Sequence, residues 1–212
     1  MKIHKFTFNP FFENTYIIWE EETKEAAVID PGMSDSSEEK EFTNFVEQNS
    51  LKIIYLINTH CHIDHIFGCG FVKSGYNPVF YLPKEDLILY QNAENQASMF
   101  GVEINKLPEP EKFLSEDLEI ILGKEPITFL FTPGHSPGEF CLYLKQSNFC
   151  VSGDVLFYEN IGRADLPGGN FDVLITSIKN KLLTLPDDVI IYPGHGEKSS
   201  IGYERNHNPF LI

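Results

Sequence analysis

Positive charge is scarce in this chain: 16 Lys and Arg stand against 31 Asp and Glu, a net charge of −15 over 212 residues. Such a surface repels phosphate backbones and anionic membranes, and no basic arm is present to grip RNA, so nucleic acid and lipid surfaces are poor partners. Cysteine is sparse as well. Cys61, Cys69, Cys141 and Cys150 show no CxxC spacing, and the opening Met-Lys-Ile-His-Lys-Phe lacks the apolar stretch of a secretory signal. Both features predict reduced thiols in a cytoplasmic protein. Long apolar runs are missing too: the densest span about eight residues, against the roughly 18 needed to cross a bilayer. The acidic runs at 20–22, 38–41 and 109–117 read as solvated faces.

What is present is globular, with 42% hydrophobic and 13% aromatic residues, too apolar for a disordered segment. No repeat, linker or low-complexity block divides it, so a single domain over residues 1–212 is expected. A chain of that length buries about 70% of its unfolded surface without disulfide staples. Gly and Pro punctuate short apolar runs that predict strands at 3–8, 15–20, 26–29, 53–57, 78–82, 118–122, 127–131, 140–144, 149–151 and 189–192. Ser36 with Glu39 reads as a capping box ahead of Phe42, Phe45 and Val46, predicting a helix to about Ser50. Leu174, Ile175, Ile178 and Leu182 predict a second helix, with Lys179 and Lys181 at its negative end and Pro186 as its stop. A third is expected within 84–101. Helices too few for strict βαβ alternation favour an α+β arrangement of strand-rich layers.

The chemistry gathers at strand ends. Thr59-His60-Cys61-His62-Ile63-Asp64-His65 follows the strand at 53–57 directly, and imidazoles packed that tightly beside a carboxylate suit ligation of a borderline metal. The same grammar recurs where strands run into Pro133-Gly134-His135, Gly153-Asp154 and Pro193-Gly194-His195. Rigid turns holding His and Asp on one rim of a sheet pre-organise a metal site. Five His and two Asp exceed what one tetrahedral ion can use, so either two ions are bound or some residues are spectators; two ions is the more economical reading. In extended chain His60 and His62 share a side and can ligate one ion, while Asp64 and His65 turn towards a neighbouring position.

The pattern H-x-H-x-D-H followed by separate His, Asp and His resembles the metallo-β-lactamase superfamily over nearly the whole chain. That resemblance implies a four-layer αβ/βα sandwich with all seven ligands on one edge. It also implies that His60, His62 and His135 bind one divalent ion, that Asp64, His65 and His195 bind a second, and that Asp154 bridges them, with Asp64 and Asp154 serving catalysis. Zn2+ is the expected metal, with iron or manganese as alternatives. Asp30, in Val28-Ile29-Asp30-Pro31-Gly32, is similar to an early Asp that supports the family's ligands, although alone it could equally be a turn former. Gly153-Asp154-Val155-Leu156-Phe157 with Ile161-Gly162-Arg163-Ala164-Asp165-Leu166-Pro167-Gly168-Gly169 looks like the glyoxalase II-like (hydroxyacylglutathione hydrolase-like) hydrolases, closest to their short bacterial members. Gly194-His195-Gly196 and the ending Asn208-Pro209-Phe210-Leu211 agree. Exported lactamases often carry Cys where this chain has Asp154. The chain ends 17 residues after His195, where full-length glyoxalase II continues into a helical domain that helps hold glutathione. The implied reaction is hydrolysis of a small-molecule thioester by hydroxide made available near neutral pH between two ions about 3.5–4 Å apart.

Other residues read more simply. Arg163 could steer a substrate carboxylate or brace its loop by pairing with Asp165, and bracing is the commoner arrangement. Tyr158 could reach an oxyanion or act as a packing lid. The Cys61 side chain should point away from those of His60 and His62 and pack, and Cys69, Cys141 and Cys150 read as core. Gly68-Cys69-Gly70 is half a dinucleotide fingerprint and reads as a turn. His4 and His207 lack ligand-type neighbours. Two other functions stay open: a persulfide dioxygenase with one iron on His60 or His62, His135 and Asp154, which would leave His195 idle, and a catalytically silent binding module.

Overall fold

The short apolar runs pair into two six-stranded sheets and one small hairpin in a computed structural model that describes residues 1–212. Two compact units emerge: Met1–Phe113 with Ile121–Glu125, and Leu114–Ile120 with Pro126–Ile212.

In the first unit, β1 (Lys2–Phe8), β2 (Glu13–Trp19) and β3 (Glu25–Ile29) form an antiparallel meander. The sheet then continues in parallel through β4 (Lys52–Ile57) and β5 (Val79–Pro83) to the short β6 (Lys112–Leu114). The parallel steps need crossovers, which α1 (Ser36–Gln48) and α2 (Cys69–Tyr76) provide. The aromatic side chain of Phe42 on α1 lies within 5.8–6.2 Å, ring centre to ring centre, of Phe6, Tyr76 and Phe71. Phe45 lies beside it with Trp19 at 5.8 Å and His4 stacked at 4.0 Å, so His4 is a packing residue, as expected.

The second sheet runs β14 (Ser199–Ser200), β13 (Ile190–Pro193), β10 (Phe149–Gly153), β9 (Phe140–Leu144), β8 (Glu125–Phe131), β7 (Ile120–Leu122). β10 and β13 pair in parallel, with Gly153 opposite Pro193. The residues that follow them, Asp154 and His195, therefore leave neighbouring strands in the same direction. The hairpin β11 (Leu156–Phe157) and β12 (Asn160–Ile161) follows Asp154. Helix α5 (Phe171–Ser177) passes into a π-type turn, Ile178–Leu182, and buries Leu174, Ile178 and Leu182 before Pro186, as their spacing predicts.

Several boundaries differ from expectation. The α1 cap is Asp35, whose carboxylate accepts from the Ser37 and Glu38 N–H groups, and not a Ser36–Glu39 box; an Asp one residue earlier takes the same orphan donors. That helix ends at Gln48. The helix expected within 84–101 breaks at Asn92 into α3 (Leu87–Gln91) and α4 (Ala93–Phe100), preceded by a 3-10 turn, Lys84–Asp86. Gly68-Cys69-Gly70 opens α2 and is not a simple turn. The strand expected at 118–122 shrinks to Ile120–Leu122, and β6, β11, β12, β14 and α6 (Ile201–His207) are additions too short to announce themselves by period. No helix is long and apolar enough to cross a membrane.

Phe42→Ala should lower unfolding free energy by about 3–5 kcal/mol, the usual range for deleting a fully buried aromatic ring, whereas Glu47→Ala on the exposed face of α1 should stay within about 0.5 kcal/mol. Chemical denaturation midpoints at equal m-value check both.

Candidate metal centre

His60, His62, Asp64 and His65 of the first unit lie beyond the end of β4. The chain leaves β4 through Asn58, bends at Thr59, is extended at His62 and then tightens into a 3-10 turn at Ile63–His65. This turn, which strand periodicity cannot foresee, swings Asp64 and His65 away from the line of His60 and His62. The His60 ring centre lies 4.9 Å from that of His62 and 4.1 Å from that of His65, and His60 and His65 are fully buried.

Asp30 lies at the exit of β3. Its Oδ1 accepts from the Thr59 N–H at 2.7 Å and its Oδ2 from the Thr59 hydroxyl at 2.6 Å. A hydroxyl has one proton. Having donated it to Asp30, the Thr59 oxygen can only accept from Nδ1 of His60, 3.1 Å away, so His60 carries its proton on Nδ1 and its lone pair on Nε2. Nδ1 of His65 lies 3.2 Å from Oδ2 of Asp30 and 3.8 Å from Oε1 of Glu13, so that edge of the ring faces two carboxyl groups. Its Nε2 faces Oδ2 of Asp64 at 3.7 Å. Asp30, His60 and His65 are close enough to hold an ion among themselves, and both Asp30 oxygens also accept from Thr59.

In the second unit, the Pro133-Gly134-His135 turn is seated on α5: the Asn170 N–H donates to Gly134 O at 2.7 Å and the Ser177 hydroxyl to Pro133 O at 2.7 Å. Gly134, at φ +135, leaves no space for a side chain, since a Cβ would stand 2.3 Å from the Leu174 backbone. Nδ1 of His135 donates to the carbonyl of Arg163 at 2.7 Å, which again places the lone pair on Nε2. The Asp154 N–H donates to the buried Glu139 at 2.6 Å. Gly194 N donates to Gly153 O at 2.8 Å, tying the loop of His195 to that of Asp154. Nε2 of His135 and Nε2 of His195 then lie 3.5 and 3.6 Å from the same Asp154 oxygen, Oδ2. Those separations are too long for good hydrogen bonds. They match the roughly 3.3–3.6 Å between ligands on a tetrahedral cation with bonds of about 2.0–2.2 Å. Neutral imidazoles with oriented Nε2 atoms beside carboxylates therefore fit a divalent metal.

The remaining candidates fall where the sequence put them or close by. Arg163 is exposed and pairs bidentately with Asp165, at 2.8 and 2.9 Å; the guanidinium holds the Asp165 carboxyl down to about 2. Tyr158 is half exposed, with its hydroxyl 3.0 Å from that of Tyr203. All four cysteines are free and buried, and burial pushes the Cys61 thiol well up. His207 is exposed and stacks on Tyr203. Among the buried carboxyl groups that escaped the sequence reading are Glu13 near His65, Asp86 accepting from the Cys61 N–H at 3.0 Å, and Glu139. Burial raises the Glu13 carboxyl well above the usual range, and His65 opposes that rise. Nothing in their spacing separates them from the many surface acids.

The family profile described as Metallo-beta-lactamase superfamily matches residues 8–195. Hydroxyacylglutathione hydrolase GloC of Haemophilus influenzae is 35% identical, in an alignment that covers 100% of this chain and 98% of that protein. The crystal structure of BLEG-1 B3 metallo-beta-lactamase superposes with a TM-score of 0.88 at 31% identity, covering 100% of both chains. TTHA1623 in a di-iron-bound form does so with a TM-score of 0.88 at 33% identity, covering 98% of this chain and 100% of that one. These likenesses bear out the expected α+β sandwich fold class. Matched by the profile over most of its length, the chain belongs to the metallo-beta-lactamase superfamily, among its metal-dependent hydrolases.

Proposed function

We propose that the chain is a binuclear thioesterase of the hydroxyacylglutathione hydrolase type, acting as one catalytic domain over residues 1–212. The observation that carries the reading is the oxygen that faces Nδ1 of each buried ring: Thr59 Oγ1 at His60, Asp30 Oδ2 at His65 and the Arg163 carbonyl at His135. A ring whose Nδ1 side is taken up in this way offers Nε2 as its metal-binding atom. In this reading His60, His62 and His135 take one cation, Asp64, His65 and His195 take the other, and Asp154 serves both. Two bound divalent cations, zinc here, supply a water ionised near neutral pH and Lewis acidity towards a carbonyl oxygen. The di-iron form of TTHA1623 supports a two-ion reading and makes iron the second choice of metal.

The rest falls to the chain's own groups. Glu139 holds the Asp154 backbone, so the carboxylate expected between the cations keeps its place. Tyr158 and Arg163 are the proposed substrate contacts, although the guanidinium already braces its loop through Asp165. A thioester suits the site because a thiol of pKa near 8.5 departs as thiolate with little help from a general acid. The relative named hydroxyacylglutathione hydrolase supports a hydroxyacyl thioester as substrate. A net charge of −15 suits a small molecule better than a nucleic acid, and four buried free thiols suit a cytoplasmic setting.

Zinc-loaded protein should hydrolyse S-lactoylglutathione at the same rate under argon and in air. One iron per chain, with oxygen uptake on glutathione persulfide and no thioester turnover, would replace this reading with the dioxygenase. Metal bound but neither substrate turned over would replace it with the binding module.

Asp154→Ala should lose metal and activity together and His195→Ala should cut turnover sharply, whereas Cys61→Ala should keep its metal. Metal analysis of the three purified variants decides, and metal loss in Cys61→Ala would overturn the ligand assignment.

Thr59→Val removes the acceptor behind His60 with little change of volume. It should weaken metal binding roughly 10- to 100-fold, as removing partners of metal-bound histidines does; competition against a chelator measures it, and unaltered affinity would refute the tautomer argument.

A further inference from the structure

The hairpin β11–β12 has two residues on each side, too few to hold itself in register, yet it occupies a sensitive place. Asp154 precedes it, and Gly162 and Arg163, whose carbonyl fixes His135, follow it. Its turn contains Glu159 at φ +53, an uncommon conformation for a residue other than glycine. The side chains of α6 meet the turn. The buried Glu204 carboxylate accepts from the Glu159 N–H at 3.0 Å, from Nδ2 of Asn208 at 2.9 Å and from the Ser199 hydroxyl. Asn208, also buried, donates to the Asn160 carbonyl at 3.0 Å. Tyr203, the residue before Glu204 on α6, stacks on Tyr158 at 5.2 Å.

We propose that Glu204 and Asn208 are positioning residues of the metal centre: they clamp the hairpin, and the hairpin sets both the Arg163 carbonyl behind His135 and the Tyr158 side chain. Burying a carboxylate is unfavourable unless its lone pairs are met. An exposed turn could be satisfied by water, so a fully buried Glu204 held by three donors points to a need for fixed geometry. Gly162 shows how tight that geometry is, since a Cβ there would stand 1.8 Å from the Asp154 carbonyl oxygen and 3.1 Å from the His135 Cβ. The proposal rests on His135 being a ligand and not on the identity of the thioester.

The test uses the metal-loaded full chain with Glu204→Gln and Asn208→Ala, reading hydrogen exchange by mass spectrometry and the rate of metal loss to EDTA. Exchange over 156–163 should rise about tenfold or more while β8, β9 and β10 stay protected, and metal loss should quicken about tenfold. Faster hairpin exchange with unchanged metal loss would overturn the coupling. An even rise across the whole unit would reduce the two residues to general stabilisers, and unaltered hairpin exchange would show that they hold nothing. If Glu204→Gln does not fold, Asn208→Ala decides, since it leaves Glu204 two of its donors. Failure to hydrolyse S-lactoylglutathione would count against the substrate and leave both of these measurements valid.

Discussion

The carboxylate of Asp30 holds together the groups on which the first unit's histidines depend. Asp30 leaves β3 at φ +49, a left-handed conformation that Asp tolerates better than most residues. Its N–H donates to Ile57 O at 3.0 Å, which ties the ends of β3 and β4 together. With the backbone so fixed, Oδ1 and Oδ2 take the Thr59 N–H and hydroxyl, and Oδ2 also faces His65. The charge is tolerated at 1% exposure because hydrogen bonds and an imidazole surround it. Its acceptor character travels further than its own contacts. An amide at this position would offer an N–H towards the Thr59 hydroxyl, the hydroxyl proton would be free to turn, and Nδ1 of His60 could then become an acceptor, with the proton moving to Nε2.

The second unit reaches the same end with other means. Where His65 has a carboxylate behind it, His135 has a backbone carbonyl, and where Asp30 is placed by a left-handed turn, Asp154 is placed by its N–H bond to Glu139 and by the parallel pairing of β10 with β13. Carbonyls, hydroxyls and carboxylates all accept from an imidazole N–H. What they share is that each belongs to backbone or to a buried side chain with its own bonds already made. A ring oriented by such a partner loses little further freedom when it binds.

How far this was legible follows from where each constraint is written. Strands such as 140–144 and 53–57 could be read because alternating or continuous apolar residues reflect burial, and burial is a property of the side chains themselves. α2 could not, because Gly70 and Gly75 are poor helix formers and the helix is held by burying Cys69 and Val72. The helix cap moved by one residue for a related reason: Asp35 and Ser36 are both good caps, and only the direction in which the chain arrives chooses between them. In the metal centre, ligand residue types stood out by clustering at strand exits. Glu13, Asp86 and Glu139 did not, since their importance comes from burial that only the folded chain creates.

The partner of His135 is a further step removed. A carbonyl belongs to every residue, so nothing about Arg163 as a side chain marks it as the acceptor, and its guanidinium is turned to Asp165 instead. With respect to His135, position 163 could hold almost any residue that keeps its backbone in place. The restriction falls on its neighbour: the chain passes so close to the Asp154 carbonyl at position 162 that a Cβ is excluded. The geometry of His135 is therefore encoded at Gly162, through the absence of a side chain.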